Sequence, residues 1–204
     1  MTPKFESRDL ARIAVFAALI AALGLMPALY PFGAAVPVTA QTLGVMLAGA
    51  VLGPWRGAAA VLVFEILVLV GLPLLSGGRG GPAVFVSPSV GYLIGWILGA
   101  FVVGLIAFPR DGKPSWWRVA LGTLVGGVAV VYAVGIPVAA AITGLALPQM
   151  AIVSAVYIPG DLIKVVLTVL IVLALGRAYP AAFGRRQLAA VAKSDTKLAE
   201  ARDA

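Results

Sequence analysis

The segment Ile158-Pro159-Gly160-Asp161-Leu162-Ile163-Lys164, which runs on through valines, leucines and a single Thr168 to Tyr179, decides the fold. After its acid and its base the run carries no charge before Arg177. Crossing about 30 Å of hydrocarbon takes roughly 20 apolar residues in a helix, and this run supplies them. The chain around it has the same character. Of its 204 residues, 62% are hydrophobic and 11% charged, with a mean hydropathy of +1.07, values outside the range of a water-soluble domain. Backbone groups in lipid must be satisfied internally, which leaves helices or closed barrels. The long continuous apolar runs lack the period-two alternation of a barrel. An all-α integral membrane protein is predicted.

Six apolar segments separate at breaker clusters: Leu10 to Tyr30, Thr39 to Leu52, Arg56 to Leu72, Pro88 to Phe108, Trp116 to Thr143 and Ile158 to Tyr179. The second is short for a full span, and Leu147 to Tyr157 reads as a further short helix before the sixth. Residues 1–184 are read as one six-helix membrane domain, and residues 185–204 as a charged, alanine-rich cytoplasmic tail. The first segment is too long for a signal-peptide core, and more hydrophobic sequence follows it. No internal repeat is visible.

The net charge of +7 is topological. Lys4, Arg8 and Arg12 precede the first helix, Arg56 stands between two and three, and Arg110, Lys113 and Arg118 lie between four and five. Arg177, Arg185 and Arg186 follow six. With six spans all four groups fall on one side, which places both termini in the cytoplasm of a multi-pass cell-membrane protein. Trp55, Trp116 and Trp117 sit in the same connections, at headgroup level. Ser115 is expected to cap the fifth helix. Basic residues scattered in this way do not form a nucleic-acid surface. Cysteine and histidine are both absent, which removes the commonest nucleophiles, bases and transition-metal ligands. No catalytic residue, metal site or cofactor is assigned.

Two cations break the topological pattern. Arg79 lies between helices three and four, and Lys164 lies one turn into helix six, both on the outer side. An ionisable group in membrane sequence is costly unless paired or solvated, so it marks function by default. Asp161 and Lys164 are three residues apart and share a helical face. Asp161 also falls in the first turn, where the helix dipole favours an anion. The plainer alternative is a self-neutralising ion pair. Around Arg79, Leu75-Ser76-Gly77-Gly78-Arg79-Gly80-Gly81-Pro82-Ala83-Val84-Phe85-Val86-Ser87-Pro88 is too apolar for an ordinary loop, and its glycines allow close backbone approach. It reads either as a lid or as a surface turn with Arg79 at lipid headgroups. Its glycine spacing matches no nucleotide fingerprint, and no phosphate-binding loop occurs elsewhere. Pro37-Val38-Thr39-Ala40-Gln41-Thr42 puts three polar side chains at the outer entrance of a short helix. They suit ligand orientation, or capping by Thr39 with Gln41 on local backbone. Glu65, in mid-helix, is suited to facing a cavity, pairing with a donor or carrying a proton. Small residues mark two packing faces. One is Ala14, Ala18 and Ala22, with Ala17 and Ala21 alongside; the other is Gly91, Gly95 and Gly99. Each suits an intramolecular contact or a membrane partner.

Taken in order, Pro37-Val-Thr-Ala-Gln-Thr-Leu-Gly-Val-Met-Leu-Ala-Gly49, Gly71-Leu-Pro73, Gly77-Gly-Arg-Gly-Gly81, Gly91-Tyr-Leu-Ile-Gly95 and Pro159-Gly-Asp-Leu-Ile-Lys164 resemble the BioY family. Members are biotin-specific substrate-binding, or S, components of energy-coupling factor (ECF) transporters. The resemblance covers nearly the whole chain except the C-terminal tail. It implies a six-helix S-component bundle that captures biotin near the outer surface. It also implies partners: a transmembrane coupling protein and two ATPase subunits, which matches the missing phosphate loop. It gives the acid and lysine that contact ligand as Asp161 and Lys164. Arg79, Gln41, Thr39 and Tyr92 match motif positions, and Ala14, Ala18 and Ala22 match the small residues that meet the coupling protein. The sequence departs from the family in reading Ser87-Pro-Ser-Val-Gly-Tyr92 where many members read Gly-Pro-Thr-Gly-Gly-Tyr. It departs again at Glu65, a position expected to be apolar.

The residue chemistry suits biotin on its own terms. A valerate anion fits Lys164 or Arg79, the two ureido N–H donors fit a carboxylate such as Asp161, and the fused rings need apolar walls. Phe85, Tyr92 and Tyr157 are candidates for those walls, and Ser87 for a polar contact. An S component for another small anionic vitamin or metabolite is the alternative. A membrane-embedded enzyme using Asp161 and Lys164 is weaker, since no nucleophile or oxyanion-stabilising motif is identifiable. A purely structural scaffold leaves the outer charges unexplained. A homo-oligomer stays open.

Overall fold

The computed structural model describes residues 6–27, 39–109 and 112–183. Lys4, Tyr30, Pro37, Val38, Arg110, Arg185, Arg186 and the expected tail lie outside the described residues. The chain is helical, with no strand among the described residues beyond a single isolated bridge, Leu75 to Arg79. Its helices are α1 (Ser7–Gly24), α2 (Gln41–Leu52), α3 (Pro54–Leu69), α4 (Val90–Ala107), α5 (Trp116–Thr143), α6 (Leu147–Ala155) and α7 (Ile158–Ala178). The short helix expected between segments five and six is α6. By length and apolarity, α4, α5 and α7 suffice to cross a bilayer.

Helix α2 is the axis of the bundle. It is only 12 residues long, yet everything from Gly44 to Leu52 is buried. Helices α1, α3, α4 and α7 all pack against it. Glycine permits this density. A Cβ on Gly49 would lie 2.8 Å from the Cβ of Val103 in α4, and one on Gly57 would lie 2.8 Å from the Cα of Gly49. Gly53, at φ +83°, turns the chain in a single residue, and Pro54 opens α3 two residues before the expected Arg56. A left-handed residue followed by proline is a compact way to end one helix and begin the next.

The two small-residue stripes have opposite fates. Gly91, Gly95 and Gly99 turn inward against Val138, Val131 and Gly126 of α5. Ala14, Ala18 and Ala22 face outward and are exposed, whereas Ala17 is buried and Ala21 partly so.

Helix α5 carries π-helical turns over Thr123–Val130. The Thr123 hydroxyl bonds back to the carbonyls of Val119 (2.8 Å) and Ala120 (3.0 Å), and Gly126 and Gly127 follow, a local sequence suited to widening the helix. The expected Ser115 cap is corrected. Its hydroxyl makes no capping bond, and its backbone carbonyl starts the helix by accepting from Val119 N–H at 3.0 Å.

Arg56, read from sequence as a topological charge, is paired. Its Nε lies 2.9 Å from Oδ1 of buried Asp9, tying the start of α3 to the start of α1. At the opposite end of the bundle, the connection from Leu72 to Ser87 folds inward. Gly77 and Gly78 both have positive φ, a conformation glycine adopts without strain, and they close the tight turn bridged by Leu75 and Arg79. Phe85 lies on a 3-10 turn, Pro82–Val86, beyond it.

Candidate ligand-binding site

Pro159 lies in the first turn of α7, where its missing N–H costs nothing, and Asp161 follows in that same turn. The Asp161 carboxylate is buried and held on both sides. Oδ1 lies 2.9 Å from Lys164 Nζ, and Oδ2 accepts a 2.6 Å hydrogen bond from the hydroxyl of Tyr132 in α5. Lys164 donates again to Thr42 Oγ1 of α2 at 2.8 Å. Three helices thus meet at one ion pair. An ammonium has three donors, and two of Lys164's are taken, so the third is available. Each oxygen of Asp161 likewise keeps a lone pair beyond its present bond.

This cluster opens on a cavity of about 60 Å³. Asp161, Lys164, Thr39, Thr42, Arg79 and Ser89 supply its polar lining, and Tyr92, Trp96, Tyr132 and Tyr157 its aromatic walls. The Tyr92 ring meets the other two tyrosines edge-on, 6.2 Å from Tyr132 and 6.5 Å from Tyr157. The Tyr92 hydroxyl is 2.8 Å from Ser154 Oγ, which itself donates to the Met150 carbonyl, so the tyrosine is the donor. Arg79 is held more loosely. Its hydrogen bonds to the Ser76 carbonyl and to Ser89 Oγ are both 3.4 Å long.

Gln41 touches the cavity, but its amide is fully engaged by protein. Nε2 donates to the carbonyls of Ile20 (3.2 Å) and Leu74 (3.1 Å), and Oε1 accepts from the backbone N–H (3.1 Å) and hydroxyl (3.4 Å) of Ser76. Rather than satisfying local backbone, as one sequence expectation had it, Gln41 pins the connection from Leu72 to Ser87 to α1 and α2. Thr39 does act locally, its hydroxyl accepting from Gln41 N–H at 3.3 Å.

Two candidates fall outside the cavity lining. Phe85 packs against the core cluster beneath the loop. The Ser87 hydroxyl donates to the Val84 carbonyl at 2.7 Å and so closes the 3-10 turn; Ser89, two residues on, is the serine that lines the cavity. Glu65 is also outside it, buried on α3 with Oε1 lacking a hydrogen-bond partner among the described residues. The sequence reading overlooked Tyr132 and Trp96. The available signal for Tyr132 was its isolation as the one tyrosine in the 28-residue apolar α5.

Residues 1–181 match the model of the BioY family. The "Biotin transporter BioY" of Rhizobium etli is 47% identical, over 86% of this chain and 96% of its own length. That of Rhodobacter capsulatus has the same identity and coverage. The "Probable biotin transporter BioY" of Bacillus subtilis is 44% identical, over 83% of this chain and 91% of its own. Among solved structures, the crystal structure of the S-component for biotin from an ECF-type ABC transporter aligns with a TM-score of 0.76 at 36% identity, covering 87% of this chain and 95% of that one. The helical bundle with its ionic cluster at one end is matched along nearly all its length, and the chain belongs to the BioY family.

Proposed function

We propose that the protein captures biotin at the outer face of the cell membrane and delivers it inward as the S component of an ECF-type ABC transporter. The observation that carries this reading is the Asp161–Lys164 pair, held by Tyr132 and Thr42 beneath aromatic walls. A carboxylate beside an ammonium matches a ureido group, with Asp161 accepting from its N–H groups and Lys164 donating to its carbonyl. Arg79, on long hydrogen bonds, is the cation more readily released to the valerate carboxylate. Tyr92, Trp96 and Tyr157 enclose the fused rings. Pockets that enclose drug-sized ligands measure about 300–1,000 Å³. A cavity of about 60 Å³ must therefore widen, and the loop carrying Arg79 is the element whose displacement does so.

In this reading residues 1–184 form one membrane domain with six crossings, both termini are cytoplasmic, and residues 185–204 are a cytoplasmic tail. Energy comes from a coupling membrane protein and two ATPase subunits. The exposed Ala14, Ala18 and Ala22 suit the coupling protein, since small residues let helices approach closely in lipid. The test is saturable binding of radiolabelled biotin to the purified chain, with competition by other anionic vitamins. Failure to bind, or stronger binding of another vitamin, overturns the assignment.

A further inference from the structure

At the end of the bundle remote from the ligand site, a groove of about 470 Å³ opens between the α4–α5 connection and the last turns of α7. Lys113 and Arg177 supply its charge, and Pro114, Leu173 and Pro180 supply apolar walls. Gly176 sets its floor, because a Cβ there would run into the Pro114 ring and push the two segments apart. Arg56 is engaged with Asp9, Lys164 with Asp161, and Arg118 with the Ile106 carbonyl at 3.0 Å. Lys113 and Arg177 make no hydrogen bond or ion pair among the described residues.

The groove also continues into an apolar track. Ile163, Val166, Leu170, Leu173 and Arg177 recur at intervals of three and four residues, so they form one stripe along α7. Ile163, Val166 and Leu170 are 61%, 57% and 58% exposed, so the track faces outward along most of its length. From Val166 to Arg177 the stripe covers about 16 Å at 1.5 Å per residue, roughly the hydrocarbon depth of one leaflet. Trp116, Trp117 and Tyr179 are exposed at the same end, where amphipathic rings mark the membrane interface.

We infer that this groove is a binding site for an anionic phospholipid. The phosphate sits between Lys113 and Arg177, and an acyl chain lies along Leu173, Leu170 and Val166. Two cations above an apolar track complement a lipid better than a free anion, which has no use for the track, or an acidic peptide segment, which has no use for its length.

The experiment is native mass spectrometry of the purified full-length chain released from micelles containing equal phosphatidylglycerol and phosphatidylcholine. Phosphatidylglycerol is expected to be retained preferentially. The double variant Lys113→Ala/Arg177→Ala should lose roughly 30-fold in that retention, what two charges at a headgroup layer are worth. Arg8→Ala/Arg12→Ala, which removes the same net charge elsewhere, should retain the lipid as the unmodified chain does. Equal loss in both double variants would mean unspecific charge attraction and overturn the site. So would displacement of the lipid by millimolar inorganic phosphate alone. A third overturning result is a Lys113→Ala/Arg177→Ala chain that keeps the lipid but no longer co-purifies with its partner subunits, which would assign the groove to protein contact. Retained biotin binding in each variant reports that the fold is intact.

Discussion

Tyr132 holds Asp161 from the side opposite Lys164: its hydroxyl donates to Oδ2 at 2.6 Å while the ammonium takes Oδ1 at 2.9 Å. The carboxylate is therefore fixed by groups from two helices, with its remaining lone pairs free for a ligand. Tyr132→Phe removes one hydrogen bond to a charged group, worth about 1.5–3 kcal/mol, and leaves the ring packing intact. Biotin affinity should fall roughly tenfold or more, and the melting temperature should drop by a few degrees, as read by equilibrium binding and a melting curve on the same sample. Unchanged affinity would show that Tyr132 is a packing residue alone.

The ion pair itself separates a structural role from a ligand-binding one. Asp161→Asn leaves the Lys164 ammonium without its counter-charge, and Lys164→Ala leaves Asp161 with Tyr132 alone. Breaking a buried pair costs about 3–5 kcal/mol, whereas replacing both members with apolar groups is often close to neutral. Each single variant should be destabilised and should lose at least about 100-fold in biotin affinity, since the ligand gives up a charge-assisted partner as well. Asp161→Leu/Lys164→Met should regain much of the stability and none of the binding. Recovery of both would mean that the pair serves only to settle its own charges.

Gln41 predicts a kinetic effect. Gln41→Leu leaves the buried Ile20 carbonyl without its side-chain donor and frees Leu74 and Ser76 from the bundle. Each unsatisfied buried group costs about 1–3 kcal/mol. Loss of this brace should lower stability and accelerate biotin dissociation several-fold, because the loop it pins carries Arg79. Stopped-flow displacement of a fluorescent biotin analogue reads the rate. A dissociation rate equal to that of the unmodified chain would show that the loop is held by other contacts.

The sequence showed more of the fold than of the site. Apolar runs bounded by glycine and proline placed most helices to within a few residues, since the cost of exposing backbone or charge to lipid depends on local composition; α1 is the exception, starting at Ser7 and ending at Gly24, six residues before the expected Tyr30. Asp161 and Lys164 were legible for the same reason, and their spacing on one helix fixed their contact. Tyr132 was not, because its value arises from a partner 29 residues away across the bundle. Ser87 and Phe85 misled for a related reason. Their position in a glycine-rich loop around Arg79 suggested ligand contact, but the 3-10 turn directs one hydroxyl onto Val84 and packs the ring against the core. Small-residue spacing marked both stripes, but only tertiary structure separates an inner stripe from an outer one.

That separation gives a last prediction. Ala14, Ala18 and Ala22 are exposed on α1, whereas Gly95 meets the Val131 backbone, with a built Cβ falling 3.0 Å from its carbonyl oxygen. Ala14→Leu/Ala18→Leu adds bulk toward lipid, where it meets no packed neighbour within the chain. The variant should fold, melt near the parent temperature and bind biotin with the same affinity. Gly95→Leu drives a side chain into α5 and should cost several kcal/mol, as overpacking of a dense interior does. If the exposed stripe is the seat of the coupling protein, the alanine variant should also fail to co-purify with the energising module and should lose uptake in cells while keeping ligand capture. Small residues at a helix contact act through close approach, so bulk alone is enough to break it. Normal co-purification and uptake would move the partner interface to another face of the bundle and leave the outward alanines as a lipid-facing surface.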